Sequence, residues 1–247
     1  MANIAGIGFI PDEIAYKDCG GTNGETAKTN GYVARKYIEA EKAKLIDQNG
    51  TIGIYKNANF DGWACDTIEK QTAKATAQKY AYYLPDVING KEKGKRQIYL
   101  YGDVGTGKTW LASAIVNELS QKGLPCLFAK LSDIFEEIKS TFKSNETTER
   151  EVLIKYKTTK VLVIDDLGQE KASKWTNEKL FGLIDYRRSY GLATIYTSNC
   201  DPGELLEQLI PSDDKYNKKQ AHAIVDRITG GAYKVPMYWE SYRQEDE

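Results

Sequence analysis

One segment of the chain has the residue types and spacing of a phosphate-binding loop. Gly102-Asp103-Val104-Gly105-Thr106-Gly107-Lys108-Thr109 matches G-x-x-x-x-G-K-[ST] at every fixed position. The glycines let the backbone curl so that several N–H groups face one anion, and Lys108 adds a full positive charge. The Thr109 hydroxyl is a ligand for Mg²⁺ in this motif. We therefore predict nucleotide phosphates as the ligand; the alternative is a chance glycine-rich turn.

Two polar strand ends supply the groups that would complete such a site. The apolar run VLVI ends in Asp165 and Asp166, and the run ATIYTS ends in Asn199. We expect Asp165 to hold Mg²⁺, directly or through water, and Asp166 to orient and deprotonate an attacking water. Aspartate has a shorter reach than glutamate, so hydrolysis is expected to be slow. The alternatives are that Asp166 is a cap or turn residue and that Asn199, placed to contact the γ-phosphate, ends an ordinary turn.

The elements around these residues alternate between strand and helix. A capping box with Asp66 as the N-cap predicts a helix that ends near Pro85. The predicted segments are helix 66–84, strand 98–102, helix 109–123, strand 126–130, helix 131–142, strand 161–165, helix 177–191 and strand 193–199. Apolar strands separated by helices predict an α/β fold of the P-loop NTPase class, with a central parallel sheet flanked by helices.

The first part of the chain differs from the rest. A Gly- and Thr-rich stretch, 19–31, precedes a predicted helix, 32–47, with a narrow apolar stripe. We interpret 1–56 as a small N-terminal appendage and 57–247 as the nucleotide-binding domain. A partner-docking role for the appendage is one hypothesis; the alternative is a helix that packs on the main domain.

Composition limits the remaining classes of function. The 247 residues are 41% hydrophobic and carry a net charge of −1, with no run long enough to span a bilayer and no signal-like start. We expect a cytoplasmic protein without membrane association. The scattered cysteines lack a zinc-site spacing and are predicted to be reduced thiols: Cys19, Cys65, Cys126 and Cys200.

Nucleic-acid binding would have to be local because the net charge is near zero. The candidate residues for a single strand are Lys91, Lys93, Lys95, Arg96, Lys139, Lys143 and Phe142. We interpret Trp63, Trp110 and Trp175 as core or interface residues rather than base platforms. Arg187 and Arg188 are candidates for a subunit interface or a solvated face.

The motifs together resemble a known family. The segments that carry the resemblance are GDVGTGKTWLASAIVNEL, VLVIDDLGQE, IDYRRSYGLATIYTSN, VDRI and ESYR. Over about residues 57–247 the chain resembles the AAA+ helicase loaders of the DnaC/DnaI type and, less closely, their IstB transposition-helper relatives. The resemblance implies that Asn199 is the first sensor, Arg227 an arginine finger and Arg243 the second sensor. The alternative for each arginine is a surface salt bridge.

The resemblance also implies a function. It indicates a Mg²⁺-dependent ATPase, stimulated by DNA or a partner, that binds a hexameric DnaB-type helicase and helps deposit it on single-stranded DNA in replication initiation. An arginine finger acting in trans places the ATP site between protomers of an oligomer. The alternatives are an IstB-like helper assembling on duplex DNA, a small-metabolite kinase, which leaves VDRI and ESYR unexplained, and a nucleotide switch with negligible hydrolysis.

Overall fold

The computed structural model describes residues 53–142, 148–211 and 218–242. The predicted helix 32–47 lies outside these ranges, as do Cys19, Lys143 and Arg243. Of the predicted appendage 1–56, the described part begins a 3-10 helix, Gly53–Asn57, whose carbonyls accept hydrogen bonds from the Asn117 side chain. The division of the chain at residue 56 remains a prediction.

Five parallel strands form one sheet in the order β2-β3-β4-β1-β5. The strands are β1 (Gln97–Gly102), β2 (Cys126–Lys130), β3 (Val161–Leu167), β4 (Ala193–Ser198) and β5 (Ala232–Met237). The helices are α1 (Ile68–Ile88), α2 (Lys108–Gln121), α3 (Leu131–Ser140), α4 (Glu149–Thr158), α5 (Lys174–Ser189), α6 (Pro202–Gln208) and α7 (Lys218–Thr229). The predicted fold class is confirmed.

Apolar side chains cover both faces of the sheet, as the uninterrupted strand runs predicted. Ile98 and Leu100 of β1 pack with residues of α1 and α2 and with Ala58, Phe60 and Trp63 on one face. Tyr99, which points the opposite way, packs with residues of α3 to α7 on the other. This arrangement, one sheet covered by helices on both faces, places the carboxyl ends of β1, β3 and β4 beside one another.

The predicted start and end of the first helix were wrong. Thr67, not Asp66, is the N-cap of α1, because its side chain accepts from the backbone N–H of Lys70, whereas Asp66 pairs with the Lys70 ammonium at 2.8 Å. The helix continues through Pro85 to Ile88. In a regular helix the Ala81 carbonyl would accept a hydrogen bond from the N–H of residue 85, which proline lacks. It instead accepts from the Lys122 ammonium at 3.1 Å.

Five of the described elements were not predicted, namely the 3-10 helix, α4, α6, α7 and β5. The β5 sequence AYKVPM contains Pro236, which argues against a central strand. Pro236 is accommodated because β5 lies at the edge of the sheet. Short helices such as α6, with seven residues, carry too few turns for a clear periodic pattern.

Arg187 is neither at a solvated face nor available to an interface, so that prediction was wrong. Its side chain is fully buried and donates to the carbonyls of Tyr156, Thr159 and Ala193 and to the Thr194 hydroxyl. Burial lowers the pKa of this guanidinium to about 10. Arg187 therefore joins the end of α4 to α5 and β4.

Candidate nucleotide site

The phosphate loop runs from the end of β1 to the first turn of α2. Gly102, Gly105 and Gly107 have φ angles of 137°, 81° and 86°, in the region that side chains rarely adopt. A Cβ on Gly102 would lie 2.2 Å from the Met237 carbonyl oxygen. Glycine is therefore required for both the curl of the loop and its contact with β5. The first turn of α2, whose N–H groups an α-helix leaves without a partner inside the helix, lines the cleft.

Lys108 is held inside the loop that it belongs to. Its ammonium donates to the carbonyls of Gly102 at 2.8 Å and Asp103 at 2.5 Å, and the residue is buried. Thr106 closes the loop by donating to the Asp103 carbonyl at 2.9 Å. The positive charge of the Lys108 ammonium therefore already lies at the phosphate loop before any phosphate binds.

Asp165 ends the regular part of β3 beneath the cleft. Its Oδ1 accepts from the Thr109 hydroxyl at 3.1 Å and from the Thr197 hydroxyl at 2.5 Å. Burial and, to a lesser extent, the neighbouring Asp166 charge raise the pKa of Asp165, whereas the hydroxyl donors oppose that rise. The adjacent Asp165 and Thr109 oxygens are the hard donors that Mg²⁺ prefers, so this pair fits a magnesium ion that also binds phosphate.

Asp166 lies in a distorted part of β3. The pairing with β4 shifts between Ile164 and Leu167, and Asp166 has a φ of 58°, the only positive value at a described non-glycine residue. Its N–H donates to the Thr197 hydroxyl at 3.0 Å. The distortion turns the carboxylate toward the cleft instead of into the sheet.

Lys130 is a site residue that the sequence reasoning missed. It ends β2 in register with Asp165, and its ammonium lies 3.2 Å from the Asp166 carboxylate. This contact raises the pKa of Lys130. The signal in the sequence was a lysine at the carboxyl end of a predicted parallel strand, the edge to which ligands bind.

A cleft of about 730 Å³ extends from the phosphate loop and Asp166 to an aromatic region. That region is formed by Tyr55, Trp63, Trp110 and Tyr242. Asp166 and Asn199 both line this cleft. Their roles in hydrolysis stay predictions. Other lining residues are Val104, Gly105, Gly107, Lys108, Thr109, Lys130 and Gln169. Trp63 is 5% exposed, so it is a core residue as predicted, yet it also lines the cleft.

The segment after β5 packs over the phosphate loop from the side of Trp63, a contact that was not predicted. Trp239 Nε1 donates to the Thr106 carbonyl at 3.2 Å, and the Tyr242 N–H donates to the Gly105 carbonyl at 3.1 Å. Both rings meet Trp63 edge-on, with centroids 6.2 and 5.9 Å away. The loop is thereby fixed from outside as well as by β1 and α2.

Arg227 does not belong to the cleft of its own chain. It lies on α7, and its Nε donates to Asp185 Oδ1 at 2.6 Å, while its guanidinium lies 4.6 Å from the centre of the Phe181 ring. Arg243 lies outside the described residues. Arg227 is therefore not brought to the phosphate loop of its own chain.

Fold and loop together define the class of protein. A parallel five-stranded sheet carrying the phosphate loop after β1 and the acidic pair on β3 is an AAA+ P-loop architecture. A family model described as "IstB-like ATP binding protein" matches residues 91–247, so the chain belongs to this family of ATP-binding proteins.

Relatives with sequence similarity are replicative helicase loaders. The chain is 37% identical over 156 residues to the loader DnaI of Bacillus subtilis, in an alignment that covers 62% of this chain and 49% of that protein. It thus spans about half of that relative's length. It is 25% identical over 222 residues to the loader DnaC of Escherichia coli, covering 87% of this chain and 83% of that protein. The predicted relationship to both families is confirmed.

Solved structures agree in fold. A crystal structure of DnaI has a TM-score of 0.63 at 25% identity, covering 80% of this chain and 98% of that one. The AMPPCP-bound DnaA from Aquifex aeolicus has a TM-score of 0.55 at 20% identity, over 72% of this chain and 50% of that one. The latter likeness concerns the fold alone. In the described ranges no helix is long and apolar enough to cross a bilayer.

Proposed function

We propose that this chain is an ATP-dependent loader that binds a hexameric DnaB-type replicative helicase and helps deposit it on single-stranded DNA. The observation that carries the proposal is its similarity to the loader DnaC along 87% of its length, together with a complete phosphate loop and acidic strand end. A chain of this class couples its ATP state to its grip on a partner.

ATP would lie in the cleft with its phosphates on the loop and its base toward the aromatic region. Lys108 would exchange its contacts with two loop carbonyls for the β- and γ-phosphates. Thr109 and Asp165 would hold Mg²⁺, which neutralises charge on the phosphates when bound. Lys108→Ala should then abolish ATP binding, and unchanged affinity in a fluorescent-nucleotide titration would contradict this assignment.

Hydrolysis would use Asp166 and Asn199. The Asp166 carboxylate is 40% exposed beside the cleft, where it can accept a proton from an attacking water. Asn199 would contact the γ-phosphate or that water. Because Asp166 is short and paired with Lys130, we propose slow basal turnover that DNA or a partner stimulates. A steady-state ATPase assay with and without single-stranded DNA distinguishes this enzyme from a nonhydrolysing switch.

The complete site would lie between protomers. Arg227 would reach the ATP of a neighbouring copy, and Arg243 would act as the second sensor. Arg227→Ala should bind ATP normally but lose hydrolysis. Mixing it with the Asp166→Asn variant, which cannot hydrolyse ATP but still donates Arg227, should restore activity; absence of rescue would argue against action in trans.

A surface patch beside α5 has the chemistry for single-stranded DNA. We call Lys139, Phe142, Trp175 and Lys179 the Trp175 patch. Phe142 is 63% exposed and meets the Trp175 ring at 6.4 Å, while the two lysine ammoniums lie 5.3 and 6.0 Å from that ring. Exposed aromatic faces flanked by lysines stack bases and neutralise phosphates. Trp175, interpreted from the sequence as a core or interface residue, is half-buried and packs against the core.

Variants of this patch test DNA binding. Phe142→Ala and Trp175→Ala should each weaken binding of a fluorescent oligonucleotide, by about 1–3 kcal/mol per lost stacking contact. Lys139→Ala should lower the salt slope of binding by about 0.7. Tyr190→Ala is the matched control, because Tyr190 is 68% exposed and stacks on Tyr186 at the other end of α5. Equal losses in the control would mean that the patch has no special role.

Helicase docking is assigned to residues 1–56. A variant lacking residues 1–52 keeps the 3-10 helix that receives the Asn117 hydrogen bonds, so its ATP site should stay intact. It should bind ATP like the full chain but fail to capture the helicase. Capture by the shortened chain would contradict the docking role.

The alternative is an IstB-like transposition helper, and the family model matched over 91–247 favours it. Such a helper would assemble on duplex DNA with ATP and need no helicase. Tight duplex binding with ATP-dependent assembly would move the assignment to this alternative.

A further inference from the structure

We propose that Asp185 is a positioning residue that holds the Arg227 guanidinium ready for a neighbouring copy's ATP. This inference rests on the proposed action of Arg227 in trans. It concerns two side chains on different helices, Asp185 on α5 and Arg227 on α7, joined by a 2.6 Å contact between Oδ1 and Nε.

Three contacts fix the guanidinium on three sides. Asp185 accepts from Nε at its inner edge, the Phe181 ring covers one face at 4.6 Å, and the Ala223 carbonyl accepts from Nη1 at 3.3 Å. Within the described residues Nη2 has no partner. The two terminal nitrogens form the fork that binds phosphate oxygens, so Asp185 leaves a donor available while it fixes the orientation.

The contact is poorly suited to a purely structural role. Asp185 is 42% exposed and Arg227 29% exposed, and ion pairs with this much solvent contribute little to stability. A preorganised arginine, by contrast, needs less ordering when it meets developing charge, and small misplacements of such groups slow catalysis strongly. The geometry therefore points to catalysis in the assembled state.

A second ion pair across the same two helices provides the control. Arg188 of α5 lies 3.9 Å from the Asp226 carboxylate of α7 and donates to the Asp226 carbonyl at 3.0 Å. Asp226→Ala removes an acidic side chain from the same helix pair without removing a contact to the Arg227 guanidinium. General loosening of α5 against α7 would affect both aspartate variants, whereas positioning affects Asp185→Ala alone.

The test is the ATPase of the assembled full-length protein with single-stranded DNA. We expect Asp185→Ala to lower kcat by about 10- to 100-fold while KM for ATP stays within about twofold. Asp185→Glu should recover part of the loss, and Asp226→Ala should behave as the parent chain. Adding Asp185→Ala to Arg227→Ala should cause no further loss, because the residue being positioned is already gone.

The possible failures are distinct. Full activity of Arg227→Ala would overturn both the action in trans and this inference. A large loss in Arg227→Ala with normal activity in Asp185→Ala would overturn the inference alone. An equal loss in Asp226→Ala, or a further loss when both substitutions are combined, would assign Asp185 to helix packing and also overturn it.

Discussion

The Thr197 hydroxyl joins the Asp165 carboxylate to the backbone N–H of Asp166, and replacing it tests that arrangement. It donates to the Asp165 carboxylate at 2.5 Å and accepts from the Asp166 N–H at 3.0 Å, at a position that is 1% exposed. Thr197→Val keeps the shape of the side chain and removes both hydrogen bonds. Thr197→Ser is the matched control because it keeps the hydroxyl.

The expected magnitude follows from those two bonds. A hydrogen bond to a charged group contributes about 1.5–3 kcal/mol, and an unsatisfied buried N–H costs about 1–3 kcal/mol. Allowing for the greater apolarity of valine, we expect Thr197→Val to lower the free energy of unfolding by about 2–4 kcal/mol. Thr197→Ser loses one buried methyl group and should cost about 1 kcal/mol.

The pH dependence of this difference has a defined sign. Burial raises the pKa of Asp165 in the folded protein above its ordinary value. Ionising this carboxyl therefore costs the folded state more than the unfolded state, and the free energy of unfolding falls as the pH rises through the folded pKa. Thr197 is a donor that favours the charged form. Its loss should therefore cost more at about pH 8 than at about pH 5, because this hydrogen bond favours the charged form of Asp165.

Urea unfolding without Mg²⁺ or nucleotide measures these effects. The ATPase of Thr197→Val should also fall at least about tenfold, because the backbone of Asp166 loses its anchor. A Thr197→Val variant as stable as Thr197→Ser at both pH values would refute the proposed role of this hydroxyl.

Two further substitutions, one of them with a matched control, test other parts of the molecule. Arg187→Met should lower the free energy of unfolding by about 3 kcal/mol, because buried carbonyls lose a charged donor. Arg188→Ala is the matched control: the Arg188 side chain is 41% exposed, so its removal should change the free energy of unfolding by at most about 0.5 kcal/mol. Similar urea midpoints for these two variants would contradict the account. Gly107→Val should abolish binding of a fluorescent ATP analogue, because its Cβ would lie 2.7 Å from the Trp63 ring at a φ of 86°; retained affinity would argue against the loop geometry.

The central strands and the phosphate loop were predictable because they have strong local signals. Buried parallel strands read as apolar runs, and the loop has a fixed spacing between strand and helix. The positions of Lys130 and Thr197 depend on strand order, which brings β2 and β4 to either side of β3. Sequence patterns do not encode that order.

The predictions failed where tertiary packing overrides local preference. Arg187 carries a charge that favours solvent, yet the end of α4 and β4 surround its guanidinium with carbonyl acceptors. Pro236 is unfavourable in most strands, yet it is placed in a sheet-edge strand. Trp239 and Tyr242 reach the loop only because β5 lies beside β1 in register.

The most direct test of the proposed loader function is native mass spectrometry of the full-length protein with a hexameric DnaB-type helicase, in ATP and in ADP. We predict a discrete complex with several copies of this chain on each helicase hexamer, and an amount of that complex that differs between ATP and ADP. No complex in either nucleotide, alongside ATP-dependent assembly on duplex DNA, would contradict it and favour the transposition helper.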